Sequence, residues 1–210
     1  MYDVLIIGAG PGGIFSAYEL IRQNPQLKVG VFEAGHELNK RKCPIDGKKF
    51  KTCIGCKSCS IMSGFGGAGA FSDGKYNITN DFGGTLYEYI GKKNALELMR
   101  YVDDINMAFG GEGTKLYTTA GSHIKKMCLQ NDLHLLDASV RHLGTDINYV
   151  VLENLYAYLK EKVDFFFDTP VETVRVTEDG YELTARGQTF SCKDCVISVG
   201  RSGSKWMENI

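Results

Sequence analysis

This sequence has almost no net charge and no long hydrophobic run. Its 210 residues carry 24 basic and 25 acidic side chains, so a charge of −1 gives no overall attraction to nucleic acid or anionic membranes. No stretch approaches the roughly 18 consecutive apolar residues of a membrane span. Asp3 replaces the basic start of a secretory signal, and no repeat or low-complexity segment occurs. We expect a cytoplasmic protein without membrane or nucleic-acid partners.

The first 33 residues have the pattern of a nucleotide-binding strand–helix–strand unit. The apolar run 4–7 predicts a buried strand, followed by Gly8, Gly10 and Gly13 as G-x-G-x-x-G. These glycines allow, in turn, a tight turn, the approach of a pyrophosphate and close helix–strand packing. Glu33 ends the second strand 20 residues after the last glycine. Its carboxylate suits ribose hydroxyls and repels a 2′-phosphate, which favours FAD or NAD over NADP.

The start of the helix completes the predicted phosphate site. A helix over about residues 12–24 directs its N-terminal N–H groups and positive dipole end at the phosphates, so no lysine is needed. Pro11 and Gly12 lie at this end, and Ala34 follows the acidic residue. We include all three in the predicted cofactor-binding set.

The rest of the chain predicts an α/β protein with an insertion. Helical spacing appears at 96–109, 123–131 and 146–162, and a dense β region follows it. Its strands are predicted at 163–167, 171–177, 181–185, 188–192 and 195–199, the middle three forming a meander. The expected fold is Rossmann-like, with a parallel sheet, a three-stranded meander and a helical insertion. Residues 1–35 and 133–210 form the nucleotide-binding domain, and 36–132 form the insertion.

This order of elements resembles the FAD domain of flavoproteins of the glutathione reductase type. In that family the residue after the third strand lies against adenine. The resemblance therefore implies that Val171, after Thr169-Pro170, contacts the adenine ring.

The segment 63–75 is rich in glycine and reads SGFGGAGAFSDGK. Without side chains at Gly66 and Gly67, and with only a methyl group at Ala68, backbone amides can approach a flat or charged ligand. The alternative is a flexible linker. Phenylalanines and the closing Ser-Asp-Gly-Lys favour ligand contact.

Three separated motifs carry a second resemblance. The glycine-rich segment, the segment 141–146 (RHLGTD) and the segment 199–203 (VGRSG) look like a large bacterial family of poorly characterised FAD-dependent dehydrogenases. The resemblance implies FAD at the N-terminal site, with Gly200 and Arg201 among its contacts, and an oxidoreductase activity. A small molecule or a protein would then donate or accept the electrons.

Cysteines are plentiful, at seven, and four of them are clustered. In a reducing compartment clustered cysteines favour metal or redox chemistry. Cys43, Cys53, Cys56 and Cys59 span 17 residues, the last three as C-x-x-C-x-x-C. The spacing leaves [4Fe–4S] and structural Zn²⁺ open. The alternative is free thiols on a basic loop that contacts an anion.

The remaining cysteines are expected in the core. Cys192 and Cys195 are predicted to flank a turn of the meander, and Cys128 lies on a helix face.

His142 is the candidate for proton transfer or contact with the flavin ring. A flavin carries its own hydride chemistry, so the protein need supply only binding, orientation and tuning. The alternative is a loop histidine that positions the following helix.

Two other functions remain open: a non-catalytic nucleotide-binding module with structural zinc, and an NAD-dependent dehydrogenase without flavin. Members of the family that the chain resembles are about twice as long. We therefore expect the N-terminal half of an enzyme, completed by a C-terminal half or a partner chain. We expect the isolated chain to retain flavin poorly and to expose Trp206 and Met207.

Overall fold

The computed structural model describes all residues from Met1 to Ile210, and the chain divides into two compact units. The first comprises residues 1–71 and 155–210, and the second comprises residues 72–154. Residues 36–71 of the predicted insertion thus belong to the first unit, and 133–154 of the predicted nucleotide domain to the second.

The first unit contains a six-stranded sheet with the helix α1 (Pro11–Gln23) and the short C-terminal helix α6 (Ser204–Met207). Its strands, in chain order, are β1 (Tyr2–Ile7), β2 (Val29–Phe32), β6 (Val163–Phe166), β7 (Val171–Thr177), β8 (Gly180–Ala185) and β9 (Gln188–Ile197). Their order in the sheet is β6-β2-β1-β9-β8-β7. β6, β2, β1 and β9 run parallel, whereas β7, β8 and β9 form an antiparallel meander.

The second unit contains a three-stranded antiparallel sheet of order β3-β5-β4. Its elements are β3 (Lys75–Ile78), α2 (Leu86–Ile90), α3 (Lys92–Asn106), β4 (Leu116–Thr118), α4 (Ile124–Gln130), β5 (Ser139–His142) and most of α5 (Gly144–Leu159).

On the central strand β5, Arg141 donates two hydrogen bonds to the carboxylate of Asp103, at 3.0 and 2.8 Å. This nearly buried ion pair raises the pKa of Arg141.

The fold class predicted from the sequence is confirmed. The strands β1 and β2 are apolar and buried because parallel strands are covered on both faces. Ile7 pairs with Phe32 on one side and Ile197 on the other, so the carboxyl ends of these strands reach the same edge. Ligands of open α/β sheets bind beyond this edge.

The prediction of two strands at 188–192 and 195–199 is wrong. β9 is one strand of ten residues that pairs with β8 through its first half, 188–192, and with β1 through its second half, 192–197. The polar pair Lys193-Asp194 suggested a turn. Both residues are exposed on the strand, and Lys193 binds Asp3 at 2.7 Å. Cys192 and Cys195 therefore lie within a strand and flank no turn.

Candidate functional site

The turn between β1 and α1 requires glycine for contacts within the chain. Gly8 has a φ of +105°, and a Cβ there would overlap the carbonyl of Ser198. A Cβ on Gly13 would overlap the carbonyl oxygen of Gly8. These two glycines therefore bring the helix against the strand ends.

Gly10 is different, because nothing in the chain forbids a side chain there. Its φ of −76° suits any residue, and a Cβ would meet only the Cα of Gly67, at 3.9 Å. Gly10 is the N-cap of α1, with no side-chain cap and no acidic residue in the first turn. Two N–H groups of that turn, from Gly12 and Gly13, are thus left for a partner outside the helix. The open space and the uncapped helix end suit an anion.

The carboxylate of Glu33 joins three segments around this turn. It is 7% exposed and accepts the N–H groups of Ala9, Gly35 and Gly64, at 2.8, 2.8 and 2.9 Å. A carboxylate has about four acceptor positions, so these bonds leave about one for a ribose hydroxyl. The sequence predicted the ribose contact and missed this role in holding the site together.

The glycine-rich segment lies directly on the phosphate turn. Gly66 donates its N–H to the carbonyl of Ala9 at 2.8 Å, and a Cβ on Gly67 would come within 3.1 Å of the Cα of Gly10. Both residues have positive φ, of +86° and +57°. The structure thus brings the predicted residue Gly66 next to Ala9 and Gly67 next to Gly10 and Pro11, whereas Ala68 is exposed in a 3₁₀ turn over Gly67–Phe71. We call Ala9–Gly13, Glu33 and Gly64–Gly67 the cradle.

Phe65 anchors the cradle in the core. Its side chain is fully buried, with ring centroids 4.8 Å from Tyr156 and 5.8 Å from Phe165. The hydroxyl of Tyr156 donates to Glu37 at 2.8 Å. Hydrogen bonds from Lys40 and Tyr156 hold the pKa of Glu37 below its usual value, and burial raises the pKa of Tyr156. The glycine-rich segment is therefore fixed at one position by an aromatic side chain.

Arg41 is a residue of the site that sequence reasoning missed. It is 5% exposed and donates to the carbonyls of Ser60, Phe65 and Ile61, at 3.0, 2.6 and 2.9 Å. Its guanidinium also lies 4.8 Å from the ring centre of Phe71. Burial lowers its pKa, and the negative charge of Glu33 acts in the opposite direction. The only available signal was its position eight residues after Glu33, inside a run of exposed lysines.

The end of β9 contributes a second residue that was missed. Ser198 donates its N–H to the carbonyl of Ile7 at 2.8 Å. A Cβ on Gly12 would overlap the Ser198 hydroxyl. The predicted contacts Gly200 and Arg201 follow on an exposed turn, where Gly200 has a φ of +63°.

Val171, the predicted adenine contact, begins β7 and is 6% exposed. It lies two residues after Thr169, whose N–H donates to the carbonyl of Glu33 at 2.9 Å, so it lies at the same edge of the sheet as Glu33.

The carbonyl of Val171 accepts the indole N–H of Trp206 at 2.7 Å. Trp206 is half-buried against the core, so the expectation of an exposed residue is wrong for Trp206, whereas Met207 is exposed.

The predicted metal ligands are not assembled in the structure. Cys53, Cys56 and Cys59 are exposed, Cys43 is partly buried, and all four are free thiols. No group of three or more His, Cys, Asp or Glu side chains is placed to hold a metal ion.

His142 lies in the second unit, as the last residue of β5. It is exposed, pairs with Lys75 of β3 and precedes the buried Leu143. Its role in proton transfer stays a prediction.

Comparison with solved structures defines the class of fold. Glycine oxidase from Geobacillus kaustophilus matches 98% of this chain with a TM-score of 0.54, at 17% identity and over 58% of its own length. L-amino acid deaminase from Proteus vulgaris matches all of the chain with a TM-score of 0.51, at 11% identity over half of its length. NikD, an amino acid oxidase of nikkomycin biosynthesis, gives 0.53, at 12% identity over 53% of its length. The chain thus has the mixed α/β fold of the FAD-binding domains of oxidases.

No protein-family model matches the chain. A protein of Clostridium beijerinckii, named only as uncharacterized, is 23% identical over 199 residues. The match covers 94% of this chain and 31% of that protein, so the chain spans about a third of the length of this relative. No helix is both long and apolar enough to cross a membrane.

Proposed function

We propose that the chain binds FAD through its adenosine diphosphate half and forms the FAD-binding portion of a flavin-dependent oxidoreductase. The observation that carries the proposal is the space at Gly10, which the chain leaves empty beside an uncapped helix N-terminus. A diphosphate is the group that such a site suits, because its oxygens accept the free N–H groups.

The residues present fit this ligand. Pro11 and Gly12 are exposed at the helix start, so a phosphate can reach the N–H groups of the first turn. Glu33 lies at the end of β2 with one acceptor position to spare, next to the strand that leads to Val171. These contacts support an adenosine diphosphate moiety in an extended conformation beyond the carboxyl ends of the sheet.

When bound, FAD supplies hydride and electron transfer at its isoalloxazine ring. The residues of the chain bind and orient the cofactor. Glu33 and Arg41 hold the backbone of the cradle, and Phe65 keeps the glycine-rich segment from moving away. His142 remains the proposed proton-transfer residue. The structural relatives are named for amino acid substrates, and we propose no amino acid substrate for this chain.

Equilibrium dialysis of the chain against FAD, ADP, FMN and NAD⁺ tests the proposal. We expect FAD to bind, ADP to compete with it and FMN to bind weakly, because FMN lacks the adenosine half. Preference for NAD⁺ over FAD would favour the dehydrogenase without flavin. Failure of FAD and ADP to bind at all would refute the proposal.

The variant Gly10→Ala provides the matching structural test. A methyl group there meets no atom of the chain closer than 3.9 Å, so we expect a change in folding free energy of about 1 kcal/mol or less. The same methyl group occupies the space proposed for the diphosphate. FAD affinity should therefore fall at least about tenfold while the melting temperature stays nearly unchanged.

The proposed iron–sulfur or zinc centre rests on the cysteine spacing alone. Metal analysis of anaerobically purified protein tests it. Iron or zinc in stoichiometric amount would support it, and the absence of both would remove it from the proposal.

A further inference from the structure

The segment 40–57 concentrates positive charge on one loop. It contains seven basic residues and one acidic residue, a net charge of +6, whereas the whole chain carries −1. All other residues together therefore carry −7. Apart from the buried Arg41, the basic side chains are exposed: Lys40, Lys42, Lys48, Lys49, Lys51 and Lys57. Only Lys40 has a carboxylate partner among the ion pairs of the structure.

The tip of this basic loop is an ordered turn. The carboxylate of Asp46 accepts the N–H groups of Lys48 and Phe50, at 2.9 and 3.0 Å. In return, Asp46 and Gly47 donate their N–H groups to the carbonyl of Phe50. These bonds lower the pKa of Asp46. The one acidic residue of the loop is thus used to shape the turn that presents Lys48 and Lys49.

The exposed surface of the loop also contains apolar side chains. Ile45 is 42% exposed and Ile54 is 51% exposed. These two apolar side chains can add apolar contact to the charge contact that the exposed lysines offer a partner. The loop is joined to the cradle, because Arg41 donates to the carbonyl of Phe65 at 2.6 Å.

We propose that the basic loop 40–57 is the docking surface for an acidic electron-carrier protein. Complementary charge speeds and orients such encounters. A compact acidic protein can contact the loop alone. An extended polyanion such as DNA or an anionic membrane would also meet the rest of the chain, which is negatively charged. That the partner carries electrons rests on the proposed function, whereas the docking surface does not require it.

The test measures binding of a plant-type [2Fe–2S] ferredoxin, a small acidic electron carrier, by the purified full chain at low and at high salt. The variant K48Q/K49Q/K51Q/K57Q removes four lysines of the loop. The control K92Q/K93Q/K115Q/K126Q removes four exposed lysines of the second unit. We expect the loop variant to bind about tenfold more weakly at low salt, and high salt to weaken the wild type by a similar factor.

A second pair of variants tests the turn itself. Asp46→Asn keeps an acceptor oxygen for the turn and removes the negative charge, so binding should strengthen. Asp46→Ala also removes the charge but releases the turn, so any gain should be smaller.

The proposal is overturned if loop and control variants bind ferredoxin equally. It is also overturned if a DNA duplex or phosphatidylserine vesicles bind the loop more tightly than ferredoxin does. FAD binding is measured separately by dialysis, so failure of docking and failure of the proposed cofactor are distinguishable.

Discussion

The cysteine segment, residues 43–59, and the glycine segment, residues 63–71, follow each other between β2 and β3. Both are rich in small residues and neither has helical or strand periodicity. The cysteine segment is mostly exposed, whereas Gly64, Phe65 and Gly66 are buried. The difference shows that contacts with other elements order an aperiodic segment: Glu33, Ala9 and an aromatic cluster hold one, and a local turn shapes the other.

A phenylalanine in each segment tests this difference most strongly. Phe65→Ala should destabilise the protein by about 4 kcal/mol, because it removes a fully buried ring and leaves a cavity. Phe50→Ala should cost about 1 kcal/mol or less, because Phe50 is only half-buried on the loop. Urea denaturation measures both values. Equal losses would mean that the aromatic cluster does not anchor the glycine segment.

A glycine in each segment gives the next comparison. Gly64 and Gly55 both have positive φ, of +116° and +65°, so alanine strains the backbone at either position. A Cβ on Gly64 would also come within 2.7 Å of Arg41, whereas none lies within 4 Å at Gly55. We expect losses of about 3 and about 1 kcal/mol, respectively, by thermal denaturation. FAD affinity should fall only for Gly64→Ala, and loss with Gly55→Ala would contradict the assignment.

Arg41 holds Phe65 of the glycine segment and the two residues Ser60 and Ile61 shortly before it, so its removal should make the glycine segment more like the cysteine segment. Arg41→Met leaves the carbonyls of Ser60, Ile61 and Phe65 without their donor, at a cost of about 2 kcal/mol. Hydrogen exchange at Gly64 and Phe65 should accelerate. Lys42→Met, next to it but exposed, is the control and should change neither quantity.

The rates of thiol modification extend the comparison to the cysteines of the sheet. At pH 8, a thiol reagent should modify Cys53, Cys56 and Cys59 rapidly and Cys192 and Cys195 slowly. Burial raises the pKa of Cys195 from 9.0 to about 11 and raises that of Cys192. Fast modification of all cysteines in the folded protein would contradict the placement of β9.

The same pKa shift predicts a loss of stability at high pH. The unfolded thiol ionises from about pH 9, whereas the folded Cys195 keeps its proton until about pH 11. The folded state therefore binds more protons in this window, and stability should fall as pH rises through it. Cys195→Ala should flatten this part of the curve relative to Cys53→Ala.

The sequence by itself determined the local elements of the nucleotide-binding unit. The glycine spacing and the apolar runs of β1 and β2 each reflect a requirement of the backbone within a few residues, and the spacing from the glycines identified the acid at position 33. Helix α1 and strand β7 begin and end within one residue of the predicted positions. The glycine-rich segment could be distinguished from a flexible linker because it contains phenylalanines and closes with Ser-Asp-Gly-Lys.

Only the tertiary structure decided which of these residues meet. Segments distant in the chain supply the N–H donors to Glu33, the carbonyls that accept from Arg41 and the aromatic rings around Phe65. Phe65 and Phe165, for example, are about a hundred residues apart. It also joined the end of β9 to the glycine turn through Ser198. Sequence periodicity indicates which face of an element is apolar, whereas a buried charge acquires its partners only when turns and loops distant in the chain fold together.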